Sequence, residues 1–150
     1  MTRRLRPTGS PSHTVLSGPD GESICRPAEG DEFPSRENVR ILESWNMETD
    51  AELSIARARL GPRDATESHY LEGITERYLI IRGTGTVQVG SLRPTKVRPG
   101  DVVFIPAGVV QQITNTGSED LLFYCICTPA FDEGCYAGVT RPSRDESDGP

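Results

Sequence analysis

Between residues 39 and 128, short runs of β-branched and aromatic residues recur, and every run after the first is followed within two residues by a glycine or a proline. Alternating runs of this length are typical of half-buried strands, and Gly and Pro at this spacing indicate tight turns. The predicted strands are 39–45, 53–60, 76–81, 84–89, 102–105, 111–115 and 121–128. Only residues 50–60 could also form a short helix on propensity, and there the alternation at period two favours a strand. The pattern predicts an all-β sandwich or barrel.

The chain length of 150 residues fits one domain that can bury a core without disulfides. Residues 1–37 mix Pro, Gly, Ser and charge, and we expect a partly ordered N-terminal extension that wraps the barrel or a partner subunit. The barrel is predicted over 38–135. Residues 136–150 are expected to form a polar C-terminal tail whose last ten residues are mobile.

The charge balance argues against two classes of partner. A net charge of -6 repels nucleic acid and anionic membrane surfaces. No apolar run approaches the roughly 18 residues of a membrane span, and no apolar segment follows the basic N-terminus. The four cysteines form no Cys-x-x-Cys pair. We therefore expect a cytoplasmic protein with free thiols, in which Cys125 and Cys127 pack in the core.

Two turns and the residues after them carry the most specific pattern in the chain. Gly100, Pro106, Gly108, Gln111 and Asn115 have the spacing of the second cupin motif, with Gln111 where the family has histidine. This part of the sequence resembles the small single-domain cupins of the conserved-barrel type.

The first cupin motif is present in altered form. His69, Glu76 and Gly83 keep its spacing, while Leu71 stands at the second histidine. The resemblance covers about residues 38–130. It implies a jelly-roll β-barrel of two antiparallel sheets with the site inside, in which two of the four usual metal ligands are replaced.

The resemblance also implies a set of site residues. His69, Glu76 and Gln111 would hold a divalent ion, and a mixed nitrogen and oxygen set suits iron, manganese, nickel or zinc. Leu71 would form an apolar wall beside them. An alternative alignment uses Glu67 with His69 and Glu76. Tyr78 shares a strand face with Glu76, so the two are the candidate catalytic residues, Glu76 as base and Tyr78 as acid or hydrogen-bond donor.

Two functions stay open at this point. The first is a metal-dependent enzyme of the isomerase, lyase, cyclase or dioxygenase type that acts on a small polar molecule in the barrel. The second is a binding or sensor protein with a metal-free site. Exposed strands in small jelly rolls often pair between subunits, so a homodimer is expected. Arg57 and Arg59 share one strand face and would either clamp an anionic substrate or lie in solvent.

Overall fold

The computed structural model describes residues 13–139, which form two facing β-sheets, a small hairpin and two single-turn 3₁₀ helices. The strands are β1 (Thr14–Ser17), β2 (Ser23–Arg26), β3 (Phe33–Pro34), β4 (Arg40–Trp45), β5 (Ser54–Leu60), β6 (His69–Leu71), β7 (Thr75–Arg82), β8 (Gly85–Val89), β9 (Thr95–Val97), β10 (Val102–Ile105), β11 (Gln111–Asn115), β12 (Leu121–Thr128) and β13 (Tyr136–Gly138). The 3₁₀ helices are Glu29–Asp31 and Glu133–Cys135. Neither these nor any other helix within 13–139 could cross a bilayer.

All strand pairs are antiparallel. One sheet has six strands in the order β10-β7-β12-β5-β4-β3, and the facing sheet has five in the order β13-β6-β11-β8-β9. Strands β1 and β2 form a separate hairpin. The prediction of an all-β jelly roll from two antiparallel sheets is confirmed.

Each of the seven predicted strands is present, with shifts of at most one residue at its ends. The short strands β3, β6, β9 and β13 have only two or three residues, too few for an alternation pattern in the sequence. Strand pairing also extends beyond the predicted barrel range of 38–135, because β3 and β13 pair with strands at the edges of the two sheets. The expectations for the first twelve residues and for 140–150, including the mobile tail, lie outside the described residues.

The core follows from the alternation of side chains along the central strands. Ala56 and Ala58 of β5 point inward, and their small side chains leave room for the rings of Phe123 and Tyr78. Phe123 is paired with Ala58, and its ring centroid lies 4.7 Å from that of Tyr78. Burial of one such aromatic ring stabilises the fold by about 1.5–3 kcal/mol.

Several motif residues serve the fold rather than the site. Gly83 has a φ of 83°, and a Cβ there would lie 2.8 Å from the carbonyl oxygen of Asp120. Asn115 is fully buried, and its Nδ2 donates to the carbonyl oxygens of Leu60 and Glu119 at 2.9 and 2.8 Å. These contacts fix the turns at one end of the barrel.

Arg57 and Arg59 point away from the barrel interior. Arg57 donates to both carboxylate oxygens of Glu29, at 2.7 and 2.6 Å, and to Glu32. Arg59 donates to Glu32 and to Asp120. Their outward strand face therefore contradicts the hypothesis that they clamp a substrate inside the barrel. Instead, they hold the N-terminal segment against the six-stranded sheet.

Candidate functional site

Short strand β6 places His69 inside the barrel, where the residue is 1% exposed. Its Nδ1 lies 2.7 Å from the carbonyl oxygen of Glu67. Since a carbonyl oxygen only accepts, Nδ1 carries a proton and Nε2 faces the interior. Nε2 lies 3.7 Å from Oε2 of Glu37, a residue of the segment before β4.

Gln111 lies beside His69, because the two residues are partners in the β6–β11 pairing. Its Oε1 accepts a short hydrogen bond from the Tyr78 hydroxyl, which reaches across from the other sheet. Its buried Nε2 has no hydrogen-bond partner of good geometry among residues 13–139. The amide is nevertheless close enough to the Glu76 carboxylate to lower the pKa of that group.

Glu76 is a buried carboxyl on β7, and its pKa is raised to about 7. Burial is the main cause, because a charged carboxylate loses its hydration, and the negative charge of Glu37 adds to it. Gln111, His69 and Cys127 offset part of the rise. The Cys127 Sγ lies 3.4 Å from Glu76 Oε2 and donates to it. Near neutral pH this carboxyl can therefore both take up and release a proton.

Tyr78 lies two residues further along β7 on the same inward face. Burial and the Glu76 carboxylate raise the pKa of its phenol well above the usual value. Tyr78 therefore stays protonated at neutral pH and acts as the hydrogen-bond donor that orients Gln111.

Two spaces lie at this end of the barrel, a small cavity beside Glu76 and a larger surface groove. The cavity has about 20 Å³, room for one water molecule, and Glu37, Glu76, Cys127 and Phe131 are part of its lining. The groove has about 330 Å³. It is lined by Phe33, Pro34, Ser35, Arg36, Glu37, Phe131, Glu133 and Tyr136. Glu37 and Phe131 border both spaces, so they separate the buried carboxyl from the groove.

Tyr136 of β13 covers His69 from the groove side. The two rings are stacked, with centroids 5.0 Å apart and planes at 21°. The Arg36 guanidinium lies 4.6 Å from the Tyr136 centroid, and the Tyr136 hydroxyl donates to Glu67 over 3.4 Å. His69 is thus sealed from solvent by a tyrosine that itself lines the groove.

The sequence analysis missed Glu37 and Tyr136 as site residues. Glu37 lies in the segment assigned to the N-terminal extension, and Tyr136 lies in the segment assigned to the tail. Neither belongs to a motif with characteristic spacing. Only the pairing of β3 and β13 with the sheet edges brings them to the site.

The remaining candidates occupy different surroundings. Leu71 is buried in an apolar cluster with Ile74, Cys127 and Cys135, and Cys127 of this cluster contacts Glu76. Glu67 is exposed, and it contacts His69 through its backbone carbonyl rather than its carboxylate. The alignment with Glu67 as an inward ligand therefore has no support in the geometry.

The side chains expected to hold a divalent ion do not fit one as they are arranged here. His69 Nε2 lies 3.7 Å from Glu37 Oε2, the Gln111 oxygen accepts from Tyr78, and Glu76 Oε2 accepts from Cys127. Within the part of the chain that the structure describes, no group of three or more His, Cys, Asp and Glu side chains could hold a metal ion. We therefore derive no chemical step through a metal.

Comparison with known proteins gives a family and a fold. Residues 56–127 match the family model described as Cupin domain. No curated protein matches the sequence.

Three similar solved structures illustrate the fold. A Cupin 2 conserved barrel domain protein from Salinispora arenicola is 19% identical, with a TM-score of 0.60 over 73% of this chain and 89% of that one. KdgF from Halomonas sp. is 14% identical, with a TM-score of 0.58 over 64% of this chain and 83% of that one. A variant of Streptomyces PAC13 with uridine is 13% identical, with a TM-score of 0.61 over 73% of this chain and 83% of that one. At these identities the likeness concerns the fold alone.

Proposed function

Because residues 56–127 form a cupin domain, we propose that this chain is an enzyme that moves a proton on a small polar molecule, with Glu76 as the proton acceptor and donor. One geometric observation carries the proposal. Glu76 is buried, yet it shares a water-sized cavity with Glu37, and Glu37 also lines a groove large enough for a small ligand. A proton can therefore pass between the groove and Glu76 without exposure of Glu76 to bulk solvent.

The protonation behaviour of Glu76 supports this role. A pKa of about 7 makes the carboxyl close to half protonated at neutral pH, which is the condition for efficient general acid-base catalysis. The small molecule would lie in the groove beside Glu37. Its C–H bond next to a carbonyl would break, the electron pair would remain on the substrate as an enolate, and the proton would pass through Glu37 and one water to Glu76. Return of the proton from Glu76 to a carbon of the enolate restores the carbonyl of the small molecule and the starting protonation of Glu37 and Glu76.

Tyr78 and Gln111 act as positioning residues in this scheme. The Tyr78 hydroxyl holds the Gln111 amide in place, and the amide lowers the pKa of Glu76. Loss of the amide would raise the pKa of Glu76 further and favour its protonated form.

The proposal is tested by hydrogen exchange into substrate. Protein is incubated in D₂O with keto acids, hydroxy acids, amino acids and sugars, and deuterium uptake at carbon is followed by mass spectrometry. Wild type should label at least one compound that Glu76→Gln does not. Glu119→Gln removes an exposed carboxylate and should behave as wild type. If wild type and Glu76→Gln give the same labelling, the chain is a binding or sensor protein instead.

The alternative proposal is a divalent ion on His69, Glu76 and Gln111, which would bind only if Tyr78 and Cys127 turned away from the oxygen atoms to which they donate. The observation in its favour is that the Glu67 carbonyl holds the His69 ring with Nε2 inward, the orientation common among metal-bound histidines. Elemental analysis of protein purified without chelator would distinguish the two. Stoichiometric metal that is lost in Glu76→Gln and retained more tightly in Gln111→His would support the ion. Labelling activity that survives chelation would support proton transfer without it.

We also propose that two copies pair through the outer face of the six-stranded sheet. Strand β10 is the edge of that sheet, and its outward residues Val102 and Phe104 are 63% and 58% exposed. Ile81 of the neighbouring β7 is 45% exposed. Apolar residues on an open edge strand favour burial against a second copy. The four cysteines form no disulfide within the described residues, in agreement with the proposed cytoplasmic location.

A further inference from the structure

The surface groove above Glu37 combines aromatic walls with charges of both signs. Phe33, Phe131 and Tyr136 line it together with Arg36, Glu37 and Glu133. A volume of about 330 Å³ is at the lower end of the range for small-molecule pockets, which suits a ligand of amino-acid size.

Arg36 is the cationic group of this lining. Its guanidinium lies over the Tyr136 ring, 4.6 Å from the centroid. No ion pair joins it to a carboxylate within residues 13–139, whereas Arg40, Arg57, Arg59 and Arg82 each contact a carboxylate. The contact with Tyr136 holds the guanidinium at the groove, where its N–H groups can bind a carboxylate in bidentate geometry.

Glu37 and Glu133 are the anionic groups. Glu37 approaches His69 at the base of the groove, and Glu133 begins the second 3₁₀ helix at its rim. A ligand that carried only a negative charge would meet these two carboxylates. A ligand that carried only a positive charge would meet Arg36. Electrostatic complementarity therefore requires both charges on one molecule.

We propose that the groove binds a small zwitterion with an apolar body, of the α-amino-acid type, with its carboxylate on Arg36 and its ammonium group at Glu37 and Glu133. The apolar body packs against Phe33 and Phe131. Only the statement that the bound molecule is the substrate rests on the proposed function. Binding of the zwitterion in the groove does not require Glu76.

Three ligands of the same size separate the contributions of the two charges. L-phenylalanine carries both charges, 2-phenylethylamine only the positive one and 3-phenylpropionate only the negative one. Calorimetry or NMR titration of the full chain should give phenylalanine a Kd at least about tenfold lower than either analogue, the factor that one additional charge-assisted contact supplies. Equal affinity of phenylalanine and either analogue, or no binding of phenylalanine at 10 mM, would overturn the inference.

Variants assign each charge to its residue. Arg36→Gln should reduce phenylalanine affinity to that of 2-phenylethylamine, while Arg36→Lys keeps the charge and most of the affinity. Glu133→Gln should lower the affinity for phenylalanine and leave the affinity for 3-phenylpropionate unchanged or higher. Arg93→Gln, an exposed arginine elsewhere on the surface, is the matched control and should bind as wild type. An Arg36→Gln variant that is folded by circular dichroism and binds phenylalanine as wild type does would contradict the assignment.

Glu76→Gln separates this inference from the proposed function. The variant should bind phenylalanine with wild-type affinity. Retained binding together with no Glu76-dependent labelling of any compound would refute the enzyme and leave the groove assignment intact. Labelling of other compounds without binding of phenylalanine would refute the groove assignment alone.

Discussion

His69 Nε2 lies 3.7 Å from Oε2 of Glu37, so a histidine of the cupin motif meets a carboxylate from the segment that precedes the barrel. The site is therefore not contained in the motif region. Glu37 lines both the small cavity and the groove, and its negative charge raises the pKa of Glu76. The segment that carries Glu37 is part of the functional unit.

Replacement of this carboxylate should alter the protonation of Glu76. Because the negative charge of Glu37 raises the pKa of Glu76, Glu37→Gln is expected to lower that pKa and to move the pH midpoint of the Glu76 titration downward. The Glu76 carboxyl can be followed by ¹³C NMR. Glu67→Gln removes a nearby exposed carboxylate and should leave the midpoint in place. A midpoint that rises in Glu37→Gln would contradict the electrostatic explanation.

Glu32 should make the fold sensitive to acid. Burial raises its pKa, but hydrogen bonds from Arg40, Arg57 and Arg59 outweigh burial and lower it to about 2. Since the folded pKa is below the unfolded one, the contribution is present above about pH 4.5 and is lost as the pH falls toward 2. Glu32→Gln should cost about 2 kcal/mol at pH 7 and little near pH 2, measured by urea unfolding. An equal cost at both pH values would count against the ion network.

Glu76 should have the opposite effect on stability. Its folded pKa lies above the unfolded value, so its contribution is fully present below about pH 4.5 and is lost as the pH rises through about 7. Glu76→Gln is therefore expected to be more stable than wild type at pH 8, by on the order of 2 kcal/mol, and no more stable at pH 4. Thermal unfolding at the two pH values measures this. A variant that is less stable at pH 8 would argue that the carboxylate is stabilised by an unrecognised partner.

The outer face of the six-stranded sheet should control association. Phe104→Glu places a charge in the proposed contact between two copies and should shift the protein from dimer to monomer in light scattering. Leu92→Glu alters another exposed apolar residue and should leave the dimer unchanged. A wild-type protein that is monomeric at 100 μM would rule out this pairing.

The seven long strands and the jelly roll could be predicted because alternation and turn residues are local features of the sequence. The inward direction of His69, Glu76 and Gln111 was likewise implied by the motif spacing, although the motif gives no information about which atoms are already engaged. The Tyr78 bond to Gln111 arises only when the two sheets face each other. The site residues Glu37 and Tyr136 could not be predicted, because the strands that bring them to the site lie at the sheet edges and have only two or three residues.

The outward direction of Arg57 and Arg59 also depended on information outside their own strand. Alternation placed them on one face but did not say which face was buried. The inward positions are taken by Ser54, Ala56 and Ala58, small residues that leave space for rings from the opposite strands. Burial of two arginines there would have needed carboxylates inside the barrel, and their partners Glu29, Glu32 and Asp120 lie outside it.

The central claim is that Glu76 is a buried carboxyl that exchanges a proton near neutral pH. The most direct measurement is a ¹³C NMR titration of protein labelled at the glutamate carboxyl carbon, with Glu76→Gln used to assign the signal. A midpoint near 7 is expected for Glu76. A midpoint near 4.5, the ordinary value for glutamate, would contradict it.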